Sequence, residues 1–505
     1  MTDPAPNADL LSFKDRTASP IANSVEGSSS NSALRSLLRC CLLLLLTRIL
    51  LSSTSILLGL NDYPLLPPLN DIFADSIKSG LAQTSISHRL LADDAVREWF
   101  PLFRRYLFDN DYLKAGWSIH HSPPLSMLVL MGVAAMLLVL TPLGVVASLV
   151  ALYAAGAAAV ATCVRAAASS PIRGPVLALI LFAFPSLFML DRGNIHSGVT
   201  SLCVIFYAVG ACLGIWKWSG CAALALAVNL RPNVALFALL EFARTDRPLD
   251  AAVRIAVVGA LSLGLGVIAF GIVHGIDPTY TPASFLAGLD LYTRNYVVGL
   301  SGLHWNSSLT NLERSIRHEL GLTPSSHVGW TVFASVLGLA MVTAFATLAW
   351  LRNLPAAWLS FALAACCSLF TPVLGQYHLL IFVAPLLVLV IATPTAITAN
   401  VLSRATACLI VLQLLCFLQA IAPHPVLLLL LALTASSFPF LVLRAAPGAT
   451  AAPAVLALAS MAALAPLGGE VTQNIAICLM LLATLSWLLW RCAAPPRLIG
   501  ATTVP

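Results

Sequence analysis

AVRIAVVGALSLGLGVIAFGIVHG, residues 252–275, holds one arginine and one histidine in an otherwise apolar run. The hydrocarbon core of a bilayer is about 30 Å thick, and a helix of about 20 apolar residues crosses it. This run is long enough. Similar runs recur near 41–60, 124–141, 144–164, 174–190, 197–216, 219–242, 328–351, 355–371, 377–397, 405–422, 424–444, 449–467 and 472–491. The expectation is an all-α polytopic membrane protein with about 12–14 transmembrane helices. Composition agrees. Of 505 residues, 59% are hydrophobic and 10% charged, against about 25% charged in soluble proteins. A net charge of +6 without a dense basic run excludes a nucleic-acid footprint.

The charges are clustered. Residues 1–35, 61–123 and 276–327 hold 28 charges in 150 positions, and the other 355 positions hold 20. Residues 1–35 lack periodicity and read as a disordered cytoplasmic tail. The other two stretches read as long loops. Segment 93–108 mixes aromatic and basic residues at helical spacing, which suits a helix lying in the interface. With the N-terminus in the cytoplasm and sides alternating, Arg244, Arg247, Arg352, Arg404, Arg444, Arg491 and Arg497 fall inside, following the positive-inside bias. Both long loops then face outward. The same count leaves Arg165, Arg173 and Lys217 outside, so sidedness is weakest between 141 and 219. The twelve cysteines form no CxxC or Cys/His pattern and read as small buried hydrophobes.

Candidate chemistry sits at the ends of the apolar runs. Loop 61–123 opens on Asn61-Asp62-Tyr63, carries Asp93 and Asp94, and closes on His120-His121-Ser122-Pro123-Pro124. A carboxylate at a membrane boundary can act as a general base on a hydroxyl; such a loop can equally be a solvated surface. Asp191-Arg192-Gly193-Asn194 ends one run. Asn229-Leu230-Arg231-Pro232-Asn233 interrupts another. A membrane arginine is costly unless it faces a cavity or a partner, and a guanidinium suits phosphate. Loop 276–327 offers Tyr292, Arg294, Asn295, Tyr296, His304, Trp305, Asn306, Ser307, Ser308, Arg314 and Arg317, groups that line sugar sites and interfacial belts alike. Thr371-Pro372 precedes Gln376-Tyr377-His378, a histidine able to donate to phosphate or simply to bond locally.

In order, these motifs resemble bacterial glycosyltransferase family 87, a branch of the C-type superfamily that includes polyprenyl-phosphate-mannose-dependent mannosyltransferases. Ser122-Pro123-Pro124 echoes the family's Tyr-Pro-Pro. Arg192-Gly193-Asn194 matches its Arg-Gly-Asn. Arg231-Pro232 echoes its Lys-Pro. Asn306-Ser307-Ser308-Leu309 matches its Asn-Gln-Ser-Leu in three of four places. Thr371-Pro372 with His378 echoes its Ser-Pro…His-His, with Tyr377 in the first His place. The resemblance covers about 60 to 395. It implies a catalytic transmembrane module over 36–395, with 396–505 as C-terminal transmembrane helices.

The resemblance implies a C-type fold in the cell inner membrane, with the active site facing outward or to the periplasm. A hexose, expected to be mannose, would pass from a polyprenyl-phosphate sugar to a cell-envelope glycan or glycolipid by inverting displacement. Asp94 is the favoured base, with Asp93 and then Asp62 behind it. Arg231 and His378 would hold the donor phosphate. His121, Arg192, Asn194, Asn306, Ser308 and Arg317 are the further substrate-contacting candidates. The scheme needs no metal or cofactor, and membrane lipids are the other expected partners. The rival expectation is a transporter or flippase for a lipid-linked or small substrate. Transporters often repeat broken helices in two matching halves, and no such repeat is evident in this sequence.

Overall fold

The computed structural model describes residues 122–140, 142–168, 180–181, 186, 189–190, 194–244, 248–297, 303, 306–322, 328–352, 356–392 and single positions between 471 and 489. Among these the chain is helical, with no strand. The helices are α1 (Pro124–Val139), α2 (Pro142–Ala168), α3 (Ile195–Leu213), α4 (Lys217–Leu230), α5 (Leu240–Arg244), α6 (Pro248–Ile276), α7 (Pro282–Tyr292), α8 (Leu309–Glu319), α9 (Val328–Arg352), α10 (Ala356–Leu369) and α11 (Val383–Ala392). Two 3-10 segments, Pro232–Leu239 and Gln376–Phe382, lead into α5 and α11. Four helices are long and apolar enough to cross a membrane, within α2, α3, α6 and α9.

Helix α3 is the hub. Its window is 72% buried, against 11% for α6 and 22% for α9, so among the described residues α6 and α9 are the outer spans. On α6, Leu263, Val267, Ile268 and Ile276 are exposed, as residues facing acyl chains are. Helices α2 and α3 run in the same direction: a methyl added at Gly156 would meet Leu202 at 3.0 Å, and one at Gly198 would meet Tyr153 at 3.1 Å.

The run 219–242, expected as one span, is two arms of a hairpin. Pro232 lacks an N–H and cannot continue α4. The last helical bond is donated by Arg231 N to Ala227 O at 2.7 Å. The chain then turns back. Gly220 on α4 and Glu241 on α5 both lie beside Tyr207 of α3, so both arms reach the same level. Helix α6 descends past them. Arg254 pairs with Glu241 at 2.6 Å, and further along Ser262 O accepts from Asn229 Nδ2 at 2.8 Å. Lys217, Arg244 and the end of α2 near Arg165 therefore share one end of the bundle. The expected sidedness of Arg165 and Lys217 relative to Arg244 is thus corrected by the hairpin.

A broken helix inside a bilayer exposes backbone groups that no water can satisfy. Here other helices supply the partners. Ser126 Oγ of α1 donates to Leu230 O at 3.0 Å. Asn233 Nδ2 donates to Cys367 O at 3.0 Å, and the Cys367 thiol donates back to Asn233 O at 3.1 Å. Cys367 lies near the end of α10, so α10 stops at the depth of the Arg231 turn. Helix α11 packs on both α3 and α10, making α10–α11 a second hairpin with its turn at the same depth.

The roots of the two long loops meet at the far end of α6. Tyr280 Oη donates to Ser122 O at 2.9 Å; burial pushes this hydroxyl up to about 12, so it remains a donor. Asp277 closes the turn, accepting from Thr279 N and Thr279 Oγ1 at 3.1 and 2.6 Å.

Two outcomes follow. Cysteines substituted at Lys217 and Arg244 label with an impermeant maleimide from the same side, and one at Thr279 from the other; a single 219–242 span would instead separate Lys217 from Arg244. Arg254→Met removes a paired cation from the buried Glu241 carboxylate and costs about 3–5 kcal/mol, read as a lower Tm, and Glu241→Leu added to it restores most of the loss.

Candidate functional site

Three basic side chains from separate parts of the chain stand at or beside the hairpin turns. Arg231 and His196 both act electrostatically on His378. Arg231 stands at the α4 turn, His196 in the first turn of α3, and His378 in the 3-10 turn before α11. Arg231 Nε, His196 Nδ1 and His378 Nε2 are all buried nitrogens. From Ser262, whose carbonyl accepts from the Asn229 amide, α6 runs on to Ile276 for fourteen residues, about 21 Å at 1.5 Å per residue. The cluster thus lies well inside the bundle, on the side of the turns that faces the loop roots.

The orientation of His378 is set by backbone. Gly375 N donates to His378 Nδ1 at 3.2 Å. A ring that accepts at Nδ1 carries its proton on Nε2 when neutral. His378 therefore offers an Nε2–H donor at the turn. A guanidinium and two imidazoles held together suit an anion, since guanidinium matches phosphate bidentately and a fixed donor in a dry setting acts strongly.

The loop that carries His378 is pinned from above by residues 306–310. Asn306 Nδ2 donates to Pro372 O at 2.9 Å, and Asn306 Oδ1 accepts from Leu374 N at 2.9 Å and Ser308 N at 3.0 Å. Ser308 Oγ and Thr310 Oγ1 both donate to Pro372 O, at 3.2 and 2.9 Å. Ser307 N donates to Leu374 O at 3.0 Å. Below this clamp Asn311 Nδ2 donates to Leu303 O at 3.2 Å and Asn306 O at 2.7 Å.

The chain matches no family model, no curated protein and no solved structure.

Of the residues expected from sequence, Arg231 and His378 lie within electrostatic reach of each other. Asn306 and Ser308 are 1% exposed and engage the 372–374 backbone; they reach the cluster through that loop. Asn194 is buried at the start of α3, where its Oδ1 accepts from Ser197 Oγ. Arg317 lies on the more exposed face of α8 and pairs with Glu313 at 2.5 Å, while the buried face holds Arg314, whose guanidinium donates to Val297 O at 2.8 Å. Asp62, Asp93, Asp94, His121 and Arg192 lie outside the described residues. No group of three His, Cys, Asp or Glu side chains comes together among the described residues.

His196 was missed. An ionisable residue at the start of an apolar run is a functional signal in a membrane protein, and the expected span, 197–216, began just after it. Asn474 was missed because it sits inside the expected span 472–491 as a single amide in an apolar run; it is 2% exposed.

One substitution tests the pinning. Added carbon at Gly338 on α9 would meet Phe370 Cγ at 2.6 Å and Cβ at 2.9 Å. Gly338→Ala shifts Phe370 and the adjoining 371–375 loop, costs about 1–3 kcal/mol as overpacking, and lowers Tm, whereas Gly259→Ala, which meets nothing within 4 Å, leaves Tm nearly unchanged.

Proposed function

We propose that this chain is an integral-membrane glycosyltransferase that moves a hexose, with mannose as the expected sugar, from a polyprenyl-phosphate donor to a cell-envelope glycan or glycolipid. The observation that carries the reading is that Arg231 and His196 stand at helix turns within electrostatic reach of His378, inside an apolar bundle. A prenyl-phosphate sugar is a lipid whose charge is a single phosphodiester. Its natural receptor is a cationic cradle reached through the membrane, and no nucleotide-binding loop is needed. The C-type architecture and the family 87 likeness rest on motif order, and the placing of Arg231-Pro232 and Thr371-Pro372…His378 at facing turns supports them.

The reaction is one inverting displacement. A carboxylate, Asp94 in this reading with Asp93 and Asp62 behind it, takes the proton of the acceptor hydroxyl. That oxygen bonds the anomeric carbon as the carbon–oxygen bond to phosphate breaks. The polyprenyl phosphate leaves with the bonding electrons. Arg231 and the Nε2–H of His378 stabilise the charge that develops on it. The end bearing Lys217 and Arg244 suits the cytoplasm by the positive-inside bias, so the cluster and both long loops open outward from the cell membrane.

One observation favours a second reading. Interrupted helices with charged turns also build transporter sites, and an anionic lipid-linked sugar would fit the same cradle in a flippase.

Purified protein in nanodiscs, given labelled synthetic polyprenyl-phosphate mannose and an envelope glycolipid acceptor, separates the two. Labelled acceptor with free polyprenyl phosphate is expected, and Arg231→Ala lowers transfer about 100-fold to 1000-fold, the scale of losing one transition-state donor. Asp94→Asn abolishes transfer if Asp94 is the base, and Asp93→Asn run beside it assigns the role. Movement of the intact donor between leaflets with no transfer to any hexose acceptor would establish the flippase instead.

A further inference from the structure

The amide of Asn306 does more than fill space above the His378 loop. Its Oδ1 receives Leu374 N at 2.9 Å and its Nδ2 reaches Pro372 O at 2.9 Å, so one side chain grips the loop in both polarities. The residue after this grip, Gly375, supplies the N–H that fixes the His378 ring. Asn306 is itself held in place. Ser307 Oγ, next in the chain, donates to Asn474 Oδ1 at 2.6 Å, and Asn474 Nδ2 donates to Leu303 O at 3.2 Å. Asn311 Nδ2 completes the frame on Asn306 O at 2.7 Å. All of these side chains are buried. Asn474 comes from the far C-terminal stretch, 96 positions after His378.

We infer that Asn306 and Asn474 are positioning residues that set the ring orientation of His378, and that the C-terminal stretch is part of the anion site rather than an appendage to it. The inference rests on the proposed reading of that site as a receptor for a prenyl phosphate. The physical logic is a rigid relay. Amides in an apolar interior have no water to turn to, so their bonds define one arrangement. The grip on 372–374 determines where the Gly375 N–H points, and that N–H selects which imidazole nitrogen faces the cluster as donor. A polar residue buried in a membrane run is costly unless it has such a task. Asn474 is therefore the anchor that joins the 303–311 loop to the last helical stretch.

Two readouts on full-length protein in nanodiscs test this. The first is independent of ligand. Histidine-selective nitrogen-15 spectra report the tautomer of each of the ten rings, and His378→Gln identifies the His378 signal by its loss. The wild type is expected to show that ring with its proton on Nε2. Asn306→Asp, close in shape but lacking the Nδ2 donor, and Asn474→Leu should each turn this one signal into a tautomer mixture and leave the other rings in place. The second readout is the affinity for farnesyl phosphate. Each variant should weaken it about tenfold, the size of coupling within one hydrogen-bond network. That loss should vanish in the His378→Gln background. An unchanged His378 signal in both variants overturns the relay, as do losses that multiply with that of His378→Gln. A wild type with the expected tautomer that fails to bind farnesyl phosphate overturns the prenyl-phosphate reading and leaves the relay standing as a structural device. If Asn306→Asp fails to fold, Asn474→Leu decides.

Discussion

The interior of a bilayer offers no water, so a helix that breaks there must find partners for the backbone it exposes. This constraint governs the structure around Arg231-Pro232. Pro232 ends α4, and the chain reverses within the bundle. Ser126 of α1, Cys367 of α10 and Asn233 of the turn itself engage the carbonyls of Leu230, Asn233 and Cys367 respectively. A second break at 370–382 is satisfied in the same way, by side chains of the 306–310 segment. Each turn needs the other's neighbourhood to be tolerable, because α10 closes one turn and carries the next.

Two broken hairpins bring polar backbone and basic side chains to one depth, and the basic side chains are what give that depth a chemical character. The Arg231 guanidinium is anchored at a turn and cannot leave the bundle as one at a helix end can. The buried Glu241 carboxylate, bonded by Tyr207 and Arg254, holds the returning arm at its opposite end. The arm is thus fixed at both ends: a buried ion pair toward the basic side, and side-chain-capped carbonyls at the turn. Buried ion pairs are weak sources of net stability but punish mispairing, which suits a staple that sets the register of α5 against α3 and α6.

Much of this was legible from residue order. The apolar runs near 144–164, 197–216, 252–275 and 328–351 are helices of membrane-spanning length, because length and hydropathy alone decide that. Arg231 and His378 stood out as ionisable residues in apolar surroundings, and they do share an environment. The reversal at Pro232 was not legible. Lys217 to Phe242 is long and apolar enough for one span, and only contacts with Tyr207, Arg254 and Ser262, distant in sequence, reveal two arms. The direction of the Asn306 and Ser308 side chains was hidden for a related reason: an amide in a sugar-binding motif and an amide clamping a loop are the same residue until its partners 64 to 68 positions away are known. His196 escaped because it lies between the Asp191-Arg192-Gly193-Asn194 motif and the expected span 197–216, and belonged to neither.

The most direct measurement is an electron cryomicroscopy map of the full chain in nanodiscs with a polyprenyl phosphate bound. Phosphate density within hydrogen-bonding reach of the Arg231 guanidinium and His378 Nε2, with the isoprenoid tail leading out to lipid, is the predicted result. Density lodged elsewhere, with the space between the two turns closed by packed apolar side chains, would contradict it.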